Sequence, residues 1–311
     1  MAHSSVGDSA GSSSRLRTVR PDGTPVYRYE QRPGAPAVSV IRFDAEAAHA
    51  TLPPNHRHAH DFLVLVYVEE GAGSFVVDGA ERPLRAGQVH AVSSGQVIEV
   101  SAISELARCR AWSVAFTPDA VPALTAVSPL AWAHHPLLAM FAPGAGRGLV
   151  AEHDRAHWSA WLTELAEELA DPSRVGAHEV VAGLLTRVLV AAARLAPTAP
   201  GAMDPLVERV FDEIEAMFRE PVSAGDVARA LGYTPGHLTT VVRERTGRPL
   251  LEWITERRMT EVRRMLRETD LPLGVVAART GLRDASYLVR RFRNRYGITP
   301  QRWRRGQRAS P

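Results

Sequence analysis

The sequence predicts an α+β protein with an N-terminal β-barrel, a helical connecting segment and a C-terminal all-α domain. Short β-branched and aromatic runs recur at about ten-residue spacing before residue 117, which is typical of a small barrel or sandwich. Beyond residue 150 the apolar residues recur at helical spacing instead. We therefore divide the chain into a flexible arm at 1–36, a barrel domain at 37–149, a helical segment at 150–203 and a helical domain at 204–311.

The composition excludes several classes of protein. Hydrophobic residues make up 45% of the 311 residues and charged residues 23%, which is typical of globular proteins. The single cysteine, Cys109, excludes an internal disulfide framework and a cysteine-based zinc site. Charged residues interrupt the apolar runs, so no span of a membrane is predicted. The Ser- and Gly-rich segment 1–14 lacks the apolar core of a signal peptide, and we expect a cytoplasmic protein.

The charge is distributed unevenly along the chain. Residues 1–203 carry 16 Arg against 20 Asp and Glu, a balance of −4, and residues 204–311 carry 21 Arg against 14, a balance of +7. The front of the chain is therefore acidic and the back is basic. This asymmetry predicts that only the C-terminal domain meets a polyanion.

The strand pattern is found in the barrel domain, between a Ser-, Gly- and Pro-rich arm and a predicted loop region at 117–150. The predicted strands are Val38–Phe43, Phe62–Val68, Ser74–Val77, Val89–Val92, Val97–Ile103 and Ala111–Phe116. Asp78-Gly79 predicts a type I′ hairpin turn, because both residue types tolerate a positive φ.

Two amphipathic helices, His157–Ala170 and His178–Leu195, are predicted in the connecting segment. Their apolar stripe contains Trp158, Trp161, Leu162, Leu165, Leu169, Val181, Leu184, Leu185, Val188 and Leu189. The stripe has two candidate partners, the barrel of the same chain and a second copy. We predict a homodimer formed through residues 150–196.

The C-terminal domain contains an internal repeat, in which 227–233 matches 276–282 at an offset of 49. Further residues match at an offset of 50: Leu238, Val242, Gly247 and Trp253 with Leu288, Phe292, Gly297 and Trp303. Each unit predicts a short helix, a turn at Gly232 or Gly281, where positive φ is cheap for Gly alone, and a second helix. This pattern is typical of a helix-turn-helix, whose second helix enters the major groove of DNA.

The chemistry of the second helices agrees with DNA binding. Residues 283–296 carry several arginines around the inward Leu288 and Phe292, whereas Pro235–Thr246 is less basic. Leu250–Glu268 is predicted as one helix between them, and it spans about 28 Å, close to the ~34 Å of one DNA turn. A plain helical bundle with a solvated Arg face is the alternative interpretation of the charge alone.

From about Val222 to Arg305 the sequence resembles the DNA-binding domain of the AraC/XylS family of transcription regulators. The matching pieces are Val227-Ala228, Leu231-Gly232, His237-Leu238, Thr246-Gly247, Ile254, Arg258-Met259, Arg264-Met265-Leu266, Val276-Ala277, Gly281, Ser286-Tyr287, Arg291-Phe292 and Tyr296-Gly297-Ile298-Thr299-Pro300. The chain departs from the family at Leu282 and Leu288, where Phe is usual, and at Thr240, where Arg is frequent.

The resemblance implies which residues contact DNA. The base-facing residues would be Gly236, Thr239, Thr240 and Arg243 in the first unit and Ala285, Ser286, Val289 and Arg290 in the second. To these we add His237 and Tyr287, and we predict phosphate contacts for Arg293 and Arg295, which lie toward the C-terminal end of the helix. Because Gly236 has no side chain, we expect the second unit to carry more of the direct readout.

Residues 52–93 resemble a cupin-like sensor domain of the kind found N-terminal to this DNA-binding module. The matching pieces are His56-Arg57-His58-Ala59-His60, Phe62, Gly71-Ala72-Gly73, Asp78-Gly79 and Pro83-Leu84-Arg85-Ala86-Gly87. A His-x-His pair on a strand points both imidazoles to one side, and we predict that His58 and His60 bind a small polar effector. The alternatives are hydrogen-bonding residues at the barrel mouth, the end of a loop, and a metal site completed by His90.

The sequence thus predicts a sequence-specific DNA-binding transcription regulator with an N-terminal cupin-like sensor and a C-terminal double helix-turn-helix domain. We predict an activator that works with RNA polymerase and is controlled by a population shift on effector binding. No cofactor, no metal and no catalytic residue are predicted. The rival interpretations are a metal-dependent cupin enzyme tethered to a DNA-binding module, and an architectural DNA binder without a ligand.

Overall fold

The computed structural model describes residues 14–30, 35–43, 56–100, 109–125, 127–142, 145–196, 204–246 and 248–308. The described N-terminal strands are β1 (Ser14–Val19), β2 (Pro25–Tyr29), β3 (Val38–Phe43), β4 (His56–His60), β5 (Leu63–Glu70), β6 (Ala72–Val77), β7 (Ala80–Arg85), β8 (Gln88–Val92), β9 (Val97–Val100), β10 (Arg110–Phe116) and β11 (Arg147–Leu149). They form two sheets, in the orders β1-β2-β4-β9-β6-β7 and β11-β8-β5-β10-β3. β2 pairs with β4 in parallel and the other pairs are antiparallel.

The predicted hairpin joins β6 to β7. Asp78 has φ +50° and Gly79 has φ +78°, the two positive values that a type I′ turn requires. The Asp78 carboxylate also accepts a hydrogen bond of 2.8 Å from the Val97 backbone N–H. The turn residues therefore determine where the hairpin bends and also tie it to β9.

The five-stranded sheet is buried on both faces. Along β5, Leu65 and Tyr67 point to one face and Val64 and Val68 to the other, and all four are buried. The Tyr67 ring lies 5.3 Å from the Trp158 ring. The outer face of this sheet is therefore covered by the helices that follow the barrel.

These helices are α1 (Arg155–Ala170) and α2 (Ala177–Leu195). Their apolar stripe packs into the same hydrophobic cluster as the barrel strands, and its buried members include Trp158, Leu162, Leu165, Val181, Leu185, Val188 and Leu189. Of the two candidate partners for the stripe, the barrel of the same chain is the one found here. The stripe therefore gives no support to a homodimer through 150–196, and α1 and α2 belong to the core of the sensor.

The prediction of a flexible arm at 1–36 is wrong for the part of the arm that the structure describes. β1 and β2 pair with each other, and β2 continues the six-stranded sheet beside β4, with Val26 opposite Ala59. Val26 and Tyr29 are buried. The local pattern does not reveal these strands, because PVYRY is placed in the sheet by pairing with the distant β4 and SRLRTV is added at the edge by pairing with PVYRY.

The region 117–150, predicted as loop, is more regular than expected. Four 3-10 segments, Pro118–Ala120, Pro122–Leu124, Pro129–His134 and Pro136–Phe141, begin with Pro at the first helical position, where its fixed φ is favourable. Leu138, Met140 and Phe141 are buried. The segment therefore packs onto the sensor and ends in the edge strand β11.

The described residues of the C-terminal domain form helices joined by short turns. Its helices are α3 (Pro205–Met217), α4 (Ala224–Ala230), α5 (Pro235–Thr246), α6 (Leu250–Glu268), α7 (Leu273–Arg279), α8 (Ala285–Tyr296) and α9 (Pro300–Arg308). α6 has the bounds that the periodicity predicts. Leu250 and Ile254 join the core of the first unit, and Met259 and Leu266 join that of the second, so one helix supports both units. The sequence also predicts a linker at Ala196–Gly201, of which all but Ala196 lies outside the described residues.

Candidate nucleic-acid interface

The first recognition helix, α5, is preceded by a well-capped helix and a glycine turn. The Ser223 and Asp226 side chains form a reciprocal capping box at the start of α4, which satisfies backbone N–H groups at that end. Gly232 then has φ +78°. α5 buries Leu238 and Val242 completely, so its opposite face is turned outward.

The residues predicted to contact DNA from α5 lie on this outward face. Gly236, His237, Thr240 and Arg243 are exposed, and Thr239 is half-buried. The His237 ring stacks on Tyr233, with 5.6 Å between ring centroids, which restricts the imidazole. The face offers one guanidinium and short polar groups, so its capacity for hydrogen bonds to bases is modest.

The second recognition helix, α8, begins at a side-chain cap. The Asp284 carboxylate accepts a hydrogen bond of 2.7 Å from the Tyr287 backbone N–H. That bond and the one from the Arg283 guanidinium hold the pKa of Asp284 below its usual value. The carboxylate therefore stays ionised at the positive end of the helix dipole. α8 buries Leu288 and Phe292, the pair that the repeat predicts to face inward.

The outward face of α8 brings most of its predicted residues together. Ser286, Arg290 and Arg293 are exposed, and Ala285, Tyr287 and Val289 are half-buried. A shallow depression of about 550 Å³ is lined by Ala285, Ser286, Val289, Arg290, Arg293 and Asn294. Small side chains at its N-terminal end and guanidinium groups further along suit the approach of a base edge, with phosphate contacts beside it.

Tyr287 positions two of the arginines of α8. The Arg290 guanidinium carbon lies 5.3 Å from the centre of the Tyr287 ring, within the range of a cation–π contact. Arg291 Nε donates a hydrogen bond of 2.9 Å to the Tyr287 hydroxyl. Tyr287 is therefore placed to orient Arg290 as well as to approach DNA itself.

Arg295 does not lie on the outward face, and the prediction of a phosphate contact does not fit this arrangement. Its side chain is only 13% exposed and its guanidinium is paired with the carboxylates of Asp61 and Glu256. Burial opposes the charge, but these two carboxylates outweigh it and hold the pKa of Arg295 well above its usual value. A partner 234 residues away in sequence leaves no signal in a local pattern.

Arg258, to which the sequence assigns no role, and the turn residue Gly281 hold the two units together. The buried Arg258 on α6 donates to the backbone carbonyls of Phe218 and Glu220, at 2.9 and 2.6 Å. Gly281 packs against the same two carbonyls, so closely that a Cβ at this position would meet both. The second turn therefore rests directly on the loop after α3, and this contact sets the relative position of α5 and α8.

The predicted effector residues lie on β4 of the six-stranded sheet. His58 is buried and pairs in register with Ile98 of β9, which belongs to the main core of the sensor. The His58 and His60 rings are 4.6 Å apart, and His60 stacks on Phe62 at 4.5 Å. The two imidazoles therefore share a side of the strand, as the His-x-His spacing predicts.

His90, the further candidate metal ligand, is completely buried on β8. Its ring meets Phe75 edge to face at 5.2 Å. Burial, and then the positive charge of Arg82, lower the pKa of His90 to about 4. Among the residues that the structure describes, no group of three or more His, Cys, Asp or Glu side chains could hold a metal ion.

Two other features of the chain concern the class of protein to which it belongs. Cys109 is buried in the core of the sensor. Within the described ranges, no helix combines the length and the apolar character that crossing a membrane requires.

Two family models match the chain. A helix-turn-helix domain matches residues 227–306, and an AraC-like ligand binding domain matches residues 41–182. The second match includes α1 and the start of α2, in agreement with their packing on the barrel.

Curated relatives match the C-terminal domain. The multiple antibiotic resistance protein MarA of Escherichia coli K12 is 31% identical over 98 residues, which are 32% of this chain and 77% of MarA. The transcriptional activator AarP of Providencia stuartii is 30% identical over 99 residues, which are 32% of this chain and 73% of AarP.

Solved structures are similar to parts of the chain or to most of it. The DNA-binding domain of AdpA in complex with a target DNA is 28% identical and covers 34% of this chain and 95% of its own, with a TM-score of 0.32. ToxT of Vibrio cholerae O395 is 10% identical and covers 87% of this chain and 97% of its own, with a TM-score of 0.37. The assignment to a family is based on the sequence comparisons. The chain has a duplicated helix-turn-helix after a ligand-binding barrel, and it belongs to the AraC/XylS family of DNA-binding transcription regulators.

Proposed function

We propose that this regulator is a transcription activator controlled by a small polar molecule that binds in the sensor beside His58 and His60. The observation that carries the proposal is the ring cluster on the inner side of β4. Tyr27, His58, His60 and Phe62 follow one another with ring centroids 4.5–6.1 Å apart. Imidazole and phenol groups beside apolar side chains provide a few directional hydrogen bonds in an otherwise apolar site, as small-molecule pockets do.

The effector site is tested with the full chain and a library of small metabolites. Compounds that raise the melting temperature of the wild-type protein should stabilise His58→Ala and His60→Ala much less, because the variants lose a hydrogen-bonding group. His153→Ala is the matched control, since His153 lies outside the cluster and its side chain is 82% exposed. If the active compounds stabilise all variants equally, the effector does not bind at β4.

The activator role has support from the similarity to AarP, whose name describes it as a transcriptional activator. We propose that the chain works with RNA polymerase at promoters to which its C-terminal domain binds. The promoters are found by footprinting across the source genome, and transcription is then measured in vitro with RNA polymerase. A rise in transcript on addition of the protein is expected, and a fall would make the protein a repressor.

The remaining proposals concern DNA contacts, location and assembly. We propose that α5 contacts DNA through Gly236, His237, Thr239, Thr240 and Arg243, and α8 through Ala285, Ser286, Tyr287, Val289, Arg290 and Arg293. A cytoplasmic location follows from the role in transcription. A homodimer stays a prediction whose interface is to be sought outside the apolar stripe of α1 and α2, since that stripe is buried within the chain.

A further inference from the structure

Two apolar side chains on α8 lie outside the described hydrophobic core of the C-terminal domain. Ala285 and Val289 are four residues apart, so they are neighbours on the surface of the helix. Neither belongs to the hydrophobic cluster in which Leu288 and Phe292 are completely buried, and both are half-buried at the surface. Val289 is also β-branched, and a β-branched residue loses side-chain freedom in a helix. Neither packing in the described core nor helix propensity therefore accounts for Val289.

These two side chains begin one of two rows that run along the outward face of α8. Steps of four residues connect Ala285, Val289 and Arg293 in the first row and Ser286, Arg290 and Asn294 in the second. The two rows together line the shallow depression of about 550 Å³. The first row starts with methyl groups, and the second consists of groups that form hydrogen bonds. An apolar surface and hydrogen-bond donors therefore lie side by side on this face.

The charge of the depression is favourable for contact with DNA. Among the described residues, no acidic side chain lines it, whereas the exposed Arg290 and Arg293 do. The carboxylate of Asp284, just before α8, is engaged by the Tyr287 backbone N–H at 2.7 Å and by Arg283 Nε at 2.9 Å. The approach of a DNA surface to the two rows is therefore attractive.

The four bases differ in what they present to such a face in the major groove. Thymine alone carries a methyl group there, and apolar side chains recognise it by direct contact. Guanine presents O6 and N7, to which an arginine donates two hydrogen bonds. A row that starts with methyl groups beside a row that contains a guanidinium therefore fits a thymine next to a guanine.

We propose that Val289, together with Ala285, contacts the methyl group of a thymine next to the guanine to which Arg290 donates. The second unit then selects a T·A pair through apolar contact and a G·C pair through hydrogen bonds. The inference rests on the DNA contacts proposed above for α8 and adds the base that its apolar row recognises. Because Val289 and Arg290 are consecutive residues in neighbouring rows, the two base pairs lie next to each other.

The test uses the full chain and a footprinted operator in which each thymine is replaced in turn by deoxyuridine. Deoxyuridine lacks only the methyl group and keeps the base pairing and the O4 acceptor. The base profile of Arg290→Ala locates the guanine. At the thymine beside it, the replacement should weaken wild-type binding about fourfold, the effect of one buried group of methyl size. If no thymine beside that guanine shows the loss, the proposal is wrong.

The variant Val289→Ala identifies the side chain that contacts the methyl group. Alanine is the better helix former, so this variant should fold, and it should bind the thymine and deoxyuridine operators with nearly equal affinity. Val180→Ala is the matched control, because it makes the same change on α2 of the sensor at a residue that is 41% exposed. The control should keep the wild-type sensitivity to deoxyuridine. Equal sensitivity in the two variants would overturn the proposal.

A second measurement follows a gain of affinity in place of a loss. The T·A pair is changed to C·G, and the cytosine is then replaced by 5-methylcytosine, which restores the methyl group alone. The wild type should recover about fourfold in affinity on methylation, and Val289→Ala should recover little. A wild type that gains nothing from the methyl group contradicts the proposal.

Failure of this inference can be distinguished from failure of the proposed DNA contacts. If Arg290→Ala changes the base profile but no methyl group affects binding, α8 contacts DNA and only the thymine contact is wrong. If Arg290→Ala and Val289→Ala both bind every operator variant as the wild type does, the contacts proposed for α8 are wrong and the thymine contact is rejected with them.

Discussion

At the scale of single residues, the arginines of the C-terminal domain divide into two groups that composition cannot separate. Arg290 and Arg293 are exposed on α8, whereas Arg258 is buried and Arg295 is largely shielded from solvent, and the hydrogen bonds of both go to protein oxygens. The guanidinium group serves both roles because it keeps its charge when buried and has five donors in a fixed plane. The count of basic residues therefore overstates the charge available to DNA.

The first residue-scale prediction separates base reading from positioning. Arg290→Ala should reduce discrimination at one or two base positions by about 1–3 kcal/mol, because a bidentate contact with guanine is lost. Arg293→Ala should weaken binding to all sequences similarly and make the salt slope shallower by about one. Both are measured on single-base variants of a footprinted operator. An unchanged base profile in Arg290→Ala would mean that Arg290 contacts phosphate instead.

The second residue-scale prediction concerns His90 and pH. Because burial and Arg82 lower the pKa of His90 to about 4 from the usual 6.5, the folded protein binds this proton less readily than the unfolded chain. Above pH 6.5 both states hold His90 neutral, and the free energy of unfolding is not reduced by its titration. As the pH falls from 6.5 toward 4, the unfolded chain takes up this proton and the free energy of unfolding decreases. The decrease is at most ~3 kcal/mol, since one pKa unit corresponds to about 1.36 kcal/mol.

The measurement compares urea unfolding of wild type and His90→Phe from pH 7 to pH 4. The variant lacks the titrating group, so its stability should fall less steeply over this range. Phe conserves much of the ring volume beside Phe75, which limits the cost of the change itself. Parallel curves for the two proteins would show that His90 is not the group responsible.

At the scale of elements, each helix-turn-helix unit has a glycine in its turn, but the two glycines serve different purposes. Gly232 has φ +78° and open space around the position that a Cβ would take, whereas Gly281 has φ +68° and lies against the carbonyls of Phe218 and Glu220. The first glycine satisfies only a backbone conformation. The second one also allows the two units to touch.

This difference predicts unequal effects of the same substitution. Gly232→Ala should cost about 1–2 kcal/mol, the penalty of a left-handed residue that bears a Cβ. Gly281→Ala should cost a further ~1–3 kcal/mol, because the carbonyls of the opposite loop must move, and it should also weaken DNA binding by disturbing the placement of α8. Chemical unfolding and DNA titration of the two variants side by side check this, and equal losses of stability would contradict it.

At the scale of the whole molecule, the apolar stripe of α1 and α2 stabilises the sensor of its own chain. Leu185 is fully buried in the sensor core, whereas Val180 on the same helix is 41% exposed. Leu185→Ala should lower the free energy of unfolding by ~2–5 kcal/mol, and Val180→Ala should change it little. Light scattering should give the same molecular mass for wild type and Leu185→Ala. If Leu185→Ala stays folded but has half the molecular mass of the wild type, the stripe is a dimer interface.

The sequence by itself determined the order of the domains, most of the sensor strands and the helices of the DNA-binding domain. α5 and α6 have the predicted bounds, because helical periodicity, caps and turn glycines are local signals. The same signals placed Leu238, Val242, Leu288 and Phe292 inside and most of the residues predicted to face the bases outside.

Only the tertiary structure decided which partner a residue meets across a long stretch of chain. β2 joins the sheet through pairing with β4, β1 follows by pairing with β2, and the stripe of α1 and α2 packs on the barrel of its own chain. Arg295 lies near the C-terminal end of α8, where we predicted a phosphate contact, yet it shares the inward face with Leu288 and Phe292 and pairs with Asp61, more than two hundred residues away. Pairing, burial and ion pairs of this kind depend on distances between remote segments, and a local pattern of residues contains no information about them.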